Sequence, residues 1–211
     1  RYLTEAIAAK RQNPATDLLT DLVQVEEEGD RMTEAELLSM TSLLFVAGHE
    51  TTVNLIGNGT HALLRHPDQM DLVRTDESVD TTVADELLRY DSPVQTSGRQ
   101  VMHDVEVSGV EVAAGEMVLT ALGSANRDPR FWGATADDLD VTRPEANRHL
   151  SFGSGVHHCL GAALARMEGE IAITRLVRRF PDLAIAGQPT YNARIILRGR
   201  DVLPVRLGRT A

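Results

Sequence analysis

The chain predicts a mainly α fold carrying small β-sheets. Three observations point there. A capping-box sequence opens a long apolar stretch that runs to His66-Pro67, a valine-rich segment broken by glycines occupies its middle, and a glycine-rich turn near residue 155 opens a last amphipathic stretch. Helices come first, then strands, then the turn and a final helix.

Thr33-x-x-Glu36 places a hydroxyl and a carboxylate where each can satisfy the other's orphan amide, so a helix should start there and continue through Leu37 to Ala47. It should stop near His66, because the residue before a proline avoids the helical region. Pro67 then suits the first turn of a short helix through Leu72, and Val83 to Tyr90 reads as another. From Arg99 to Leu122, Val101, Val105, Val107, Val110 and Val112 punctuated by Gly109 and Gly115 read as strands and turns. After the last helix, through Leu164, Met167 and Ile171, short strands are expected at Leu183 to Ile185, Ile195 to Leu197 and Val202 to Leu207. Asn126-Arg127-Asp128-Pro129 is a turn by composition and carries no assigned chemistry.

Composition narrows the classes. A chain of 211 residues can bury a sizeable core, and its single cysteine excludes an internal disulfide. A net charge of −10 argues against nucleic-acid binding, which needs basic surface to neutralise phosphates. No eighteen-residue apolar run and no leader pattern is visible, so a cytoplasmic enzyme with no membrane segment is expected. Lys10 is the only lysine, an arginine bias that suggests a GC-rich bacterial genome.

The most informative stretch is Phe152-Gly153-Ser154-Gly155-Val156-His157-His158-Cys159-Leu160-Gly161. Glycines let backbone approach something bulky. A cysteine near a helix N-terminus is favoured as thiolate, hence as metal ligand or nucleophile. The bland alternative is a small buried hydrophobe, the usual fate of a lone cysteine. The spacing of Phe152, Gly153, Gly155, His157, Cys159 and Gly161 outweighs it. A zinc cluster of His149, His157, His158 and Cys159 is disfavoured, since three adjacent residues rarely reach one tetrahedral ion.

The loop resembles the cysteine loop of the haem-thiolate cytochrome P-450 family, in its soluble bacterial form. The resemblance implies that Cys159 ligates the iron of haem b and pushes electron density toward it. It also implies that Phe152 shields the thiolate and that His157 sits by a haem propionate.

Two further stretches carry the same resemblance. Glu86-Leu87-Leu88-Arg89 puts a carboxylate and a guanidinium on one helix face, a pair that on an exposed helix contributes only about 0.2–0.5 kcal/mol. The family has this E-x-x-R pair buried and joined to a third arginine, matched here by Arg143, so its implied role is structural. Ala47-Gly48-His49-Glu50-Thr51-Thr52 resembles the oxygen-activation segment of a long buried helix, and Leu43 to Ala47 is apolar on every side, as such a helix should be. Polar residues there could simply cap or kink a core helix. The resemblance instead implies that Thr51 holds and protonates iron-bound dioxygen, that Glu50 relays protons from solvent, and that Gly48 leaves room for the oxygen molecule. Arg99 and His149 match propionate contacts. Arg166, Arg178 and Arg179 form either a solvated helix face or a basic patch for an acidic ferredoxin or similar donor.

The match covers essentially the whole chain, residues 1–211, but only the C-terminal half of the family's fold: the long buried helix, the E-x-x-R helix, the cysteine loop and the following helix. The N-terminal half is expected to be absent. Two function classes are carried forward. One is a monooxygenase that hydroxylates or epoxidises an apolar small molecule with dioxygen and electrons from a redox partner. The other is a noncatalytic haem-binding or scaffold fragment lacking a complete substrate pocket. Steroid, fatty acid, polyketide and terpene substrates all remain open.

Overall fold

The computed structural model describes residues 1–27 and 32–210. Its contacts divide the chain into two units, 1–50 and 51–211. The first contains α1 (Tyr2–Gln12), α2 (Leu18–Glu27) and the opening of the long helix α3 (Glu34–Arg65), with Ile7, Val23 and Leu37 as a small core. The start of α3 is built as its sequence dictates. The Thr33 amide and hydroxyl donate to Glu36 Oε2 at 2.7 and 2.9 Å, which holds the Glu36 carboxyl below the usual carboxylate range, and the Glu36 amide donates back to Thr33 Oγ1 at 3.3 Å.

One expectation fails in this unit. Leu43, Phe45 and Val46 are exposed, Phe45 by 65%, rather than buried. An apolar girdle needs packing on several sides, and within the first unit the small core takes up only the side of α3 that carries Leu37 and Leu38.

The second unit holds the rest of α3, then α4 (Pro67–Thr75), α5 (Asp80–Tyr90), α6 (Leu122–Ala125), α7 (Pro129–Trp132) and α8 (Ala162–Arg179). α3 ends one residue before His66, and Pro67 opens α4. Leu55, Leu63, Val73, Val83, Leu87, Val141, Ile173 and Val177 form its core. Glycine permits the tight approach of the helices: a Cβ on Gly59 would lie 3.0 Å from Ile173 Cδ1 and 3.0 Å from Leu87 Cδ1.

The strands pair as four two-stranded antiparallel sheets. They are β1 (Ser97–Gln100) with β4 (Met117–Thr120), β2 (Val105–Val107) with β3 (Val110–Val112), β5 (Ala184–Ile185) with β8 (Val205–Arg206), and β6 (Thr190–Tyr191) with β7 (Arg200–Val202). The expected strand over Val202 to Leu207 is in fact two, β7 and β8, flanking Pro204, which has no amide to donate to a ladder. Ile195 to Leu197 is not a strand. Ile195 and Ile196 are exposed, and Leu197 alone bridges Val94. Among the described residues no helix is long and apolar enough to cross a membrane.

Candidate functional site: the cysteine loop and its buried support

Residues 83–89 of α5 are all buried, two carboxylates and an arginine included. Each charge is answered. Arg89 grips Glu86 with both prongs of its fork, Nε to Oε2 at 2.7 Å and Nη2 to Oε1 at 2.8 Å. Its remaining donors reach the carbonyls of Asn126 (2.9 Å), Ala136 (2.7 Å) and Asp138 (2.7 Å). Arg143 Nε meets Glu86 Oε2 at 3.2 Å, while its Nη2 donates to the Thr135 carbonyl at 3.0 Å. Glu86, Arg89 and Arg143 therefore meet, with the segment from Asn126 to Arg143 folded around them.

A second buried cluster, which the sequence did not reveal, adjoins the first. Asp85 Oδ1 accepts from His149 Nε2 at 3.0 Å and from Arg166 Nε at 2.7 Å. Burial pushes the Asp85 carboxyl upward, but the His149 and Arg166 hydrogen bonds outweigh it and hold it below the usual carboxylate range. The Ser151 amide donates to His149 Nδ1 at 3.0 Å, so the proton of this ring sits on Nε2. Both nitrogens are engaged and the ring is buried. His149, expected by resemblance to meet a propionate, here faces inward to Asp85. Arg166 also turns inward, with its guanidinium 4.7 Å from the Phe152 ring centroid. Arg178 pairs with Asp80 and donates to the Val73 carbonyl at 3.0 Å. Neither is left as part of a free basic patch.

Asn126 links the two clusters. It is fully buried, donates to Ser151 Oγ at 2.9 Å and accepts from the Leu150 amide at 2.7 Å, while Ser151 Oγ donates to the Leu88 carbonyl at 2.8 Å. A polar residue at the head of an Asn-Arg-Asp-Pro turn gives no sign of burial in sequence. The only available signal was the run Asp85-Glu86 inside an otherwise apolar helix.

On this support stands the loop. The Cys159 amide donates to the Phe152 carbonyl at 2.9 Å, closing the loop, and the thiol is exposed. Gly153 and Gly155 have φ of 70° and 71°, a left-handed region that penalises any Cβ, so glycine is required at both. A Cβ on Gly161 would come 4.0 Å from Cys159 Sγ. α8 begins at Ala162, so the cysteine precedes the helix and is positioned by the loop itself. The half-buried Phe152 ring lies tilted to His149 at 5.3 Å and edge-on to His158 at 6.3 Å by ring centroids. Around the thiol the side chains of Val156 and Leu160 stand 98% and 86% exposed. His157 is exposed and makes no hydrogen bond to the described residues.

The other expected residues lie on other elements. Arg99 is exposed on β1, where Nη1 donates to Ser97 Oγ at 2.7 Å and to the Gly98 carbonyl at 2.8 Å. Gly48 and Glu50 lie on α3 in the first unit, and a Cβ on Gly48 would meet no atom within 4 Å. Thr51, half-buried, opens the second unit.

The family profile described as Cytochrome P450 matches residues 3–189. The chain belongs to the cytochrome P450 family. Cytochrome P450 107B1 of Saccharopolyspora erythraea is 49% identical over 98% of this chain and 52% of its own length. The vitamin D(3) 25-hydroxylase of Pseudonocardia autotrophica is 47% identical with the same coverage. Among solved structures, the tirandamycin C-bound P450 monooxygenase TamI superposes with a TM-score of 0.93 at 43% identity, covering 98% of this chain and 52% of that one. The chain spans about half the length of the curated relatives it matches, and the part matched has the mainly helical architecture with small sheets described above. Membership of this P450 family implies a haem cofactor.

Proposed function

We propose that this chain is the haem-binding part of a cytoplasmic monooxygenase that hydroxylates or epoxidises an apolar small molecule. The observation that carries the reading is an exposed thiol at Cys159, presented by a loop closed on the Phe152 carbonyl and bent by two left-handed glycines. The residues fit haem b. A soft sulfur donor is accessible for iron, exposed Val156 and Leu160 offer apolar surface to a flat macrocycle, and the exposed Arg99 and His157 suit its acidic propionates.

When bound, the haem supplies dioxygen activation and oxygen insertion into an unreactive C–H bond. The chain's own residues do the rest. Cys159 gives up its thiol proton to become a ligand, and the Phe152 ring shields one side of the thiolate. Arg99 neutralises negative charge at the macrocycle edge, and His157 offers a ring N–H there. Thr51 carries a proton on Oγ1, Glu50 exchanges protons with solvent, and Gly48 leaves space beside them. Glu86, Arg89 and Arg143 keep α5 joined to the segment that precedes the loop, while Asp85, His149 and Arg166 fix Phe152. Electrons come from a ferredoxin or a similar donor. Relatives whose names include a vitamin D(3) hydroxylase and a polyketide-biosynthesis P450 support an apolar substrate.

The test is the absorbance spectrum of the reduced, carbon monoxide-treated protein that carries this chain. A thiolate-shifted Soret band is expected, lost in Cys159→Ser. Thr51→Ala should keep the band while oxygen consumption separates from product formation. A wild-type spectrum without any haem band would overturn the assignment and leave the noncatalytic scaffold reading.

A further inference from the structure

A cavity of about 390 Å³, lined by none of the residues assigned above to the haem, lies where the end of α3 meets β6 and β7. Its charge is one-sided. Arg65, Arg127, Arg198 and Arg200 line it against the single carboxylate of Asp91, in a chain whose net charge is −10. Much of this positive charge is internally tied: Arg198 Nε donates to Asp91 Oδ1 at 2.7 Å, and Arg127 donates to the Tyr90 carbonyl.

Three donors are left over. Arg65 is exposed and makes no hydrogen bond or ion pair with the described residues. Arg200, whose side chain is 3% exposed, has a buried Nε without an acceptor. The third follows from tautomer logic. Arg200 Nη2 lies 2.6 Å from His61 Nδ1, and a guanidinium can only donate, so Nδ1 is the acceptor and the imidazole proton must sit on Nε2. That Nε2–H has no acceptor among the described residues. Burial, then Arg200, then Arg65 lower the pKa of His61, and Asp91 opposes them only weakly, as expected for an imidazole in a positive field. Of these only Arg200 Nε is a buried donor without an acceptor, which is costly, and a cationic site of this kind is complemented by a group that only accepts.

We propose that this cavity binds an oxyanion of the phosphate class, held by Arg65 and the Nε2–H of His61, the imidazole being oriented by Arg200 at Nδ1. The volume exceeds that of a lone ion and leaves room for the group to which a phosphate is esterified. The assignment is independent of the haem reading, because its residues are different ones.

Calorimetric titration of the full chain tests it, with inorganic phosphate and phenyl phosphate as probes against sodium chloride at matched ionic strength. Saturable one-site binding is expected, with a change in the His61 Nε2–H proton resonance. Arg65→Ala should weaken binding by about tenfold, the worth of one charge-assisted hydrogen bond, without changing the unfolding midpoint. His61→Phe, which removes the Nε2–H, should weaken it as well. Tighter binding of the ester identifies a phosphomonoester as ligand, and equal or tighter binding of the free ion identifies phosphate. Heat indistinguishable from the chloride control, or affinity indifferent to both substitutions, overturns the proposal.

Discussion

The network around Glu86 and the loop around Cys159 are near neighbours in structure with opposite character. In the first, buried charges find their partners: Glu86 accepts from two guanidiniums and from the Asp140 amide at 2.9 Å. In the second, an exposed thiol, an exposed valine and leucine and an unbonded imidazole stand on backbone held open by glycine. Stability is concentrated where nothing reacts, and reactivity where little is stabilised. The buried side chains between them, Asp85, Asn126, His149 and Ser151, carry the rigidity of one to the other.

Substitutions should separate the two regions in graded fashion. The largest effect is expected for Glu86→Gln, which leaves Arg89 and Arg143 buried without a counter-charge: urea unfolding should show a loss of about 3–5 kcal/mol. An unchanged unfolding free energy would erase the distinction drawn above. Asp85→Asn should cost less, about 1–3 kcal/mol, because His149 and Arg166 lose one charged acceptor. Its pH dependence follows from the lowered folded-state pKa of Asp85. The carboxylate's contribution is complete above its unfolded-state value of about 4 and is lost as pH falls through the folded-state value, so wild type and variant should converge in acid. Unfolding curves collected from neutral pH downward check this. Gly155→Ala should cost about 1–2 kcal/mol through its left-handed φ, read as a lower melting temperature. The smallest change in stability belongs to Cys159→Ser, within about 0.5 kcal/mol because the side chain is exposed, although it should remove the thiolate-type spectrum altogether.

The sequence revealed this molecule unevenly, and for physical reasons. Local signals held. The capping box at Thr33, the break at Pro67 and the alternating valines of β2 and β3 act within a few residues of themselves, so pattern suffices. The loop was legible because left-handed turns demand glycine by name. What escaped depends on partners far along the chain. Ile195 to Leu197 has the composition of a strand but lacks a neighbour to pair with, and the apolar ring of α3 at Leu43 to Val46 promised burial that the contacts around it do not provide. Asp85 and Arg166 are 81 residues apart and carry no shared motif. Three arginines on α8 read as a solvated face or a basic patch because charge alone does not say which way a side chain turns, and two of them reach inward to partners.

Adjacent acids at positions 85 and 86 serve different masters on neighbouring flanks of one helix, and this has a consequence for how α5 finds its place. Successive helical residues point about 100° apart, as a 3.6-residue turn requires. A rotation of α5 by one residue would therefore carry one acid toward the other's partners and leave either Arg143 or the His149–Arg166 pair without a carboxylate. Two adjacent acids with separate partners thus favour one seating of the helix, the one in which both sets of cations are met at once.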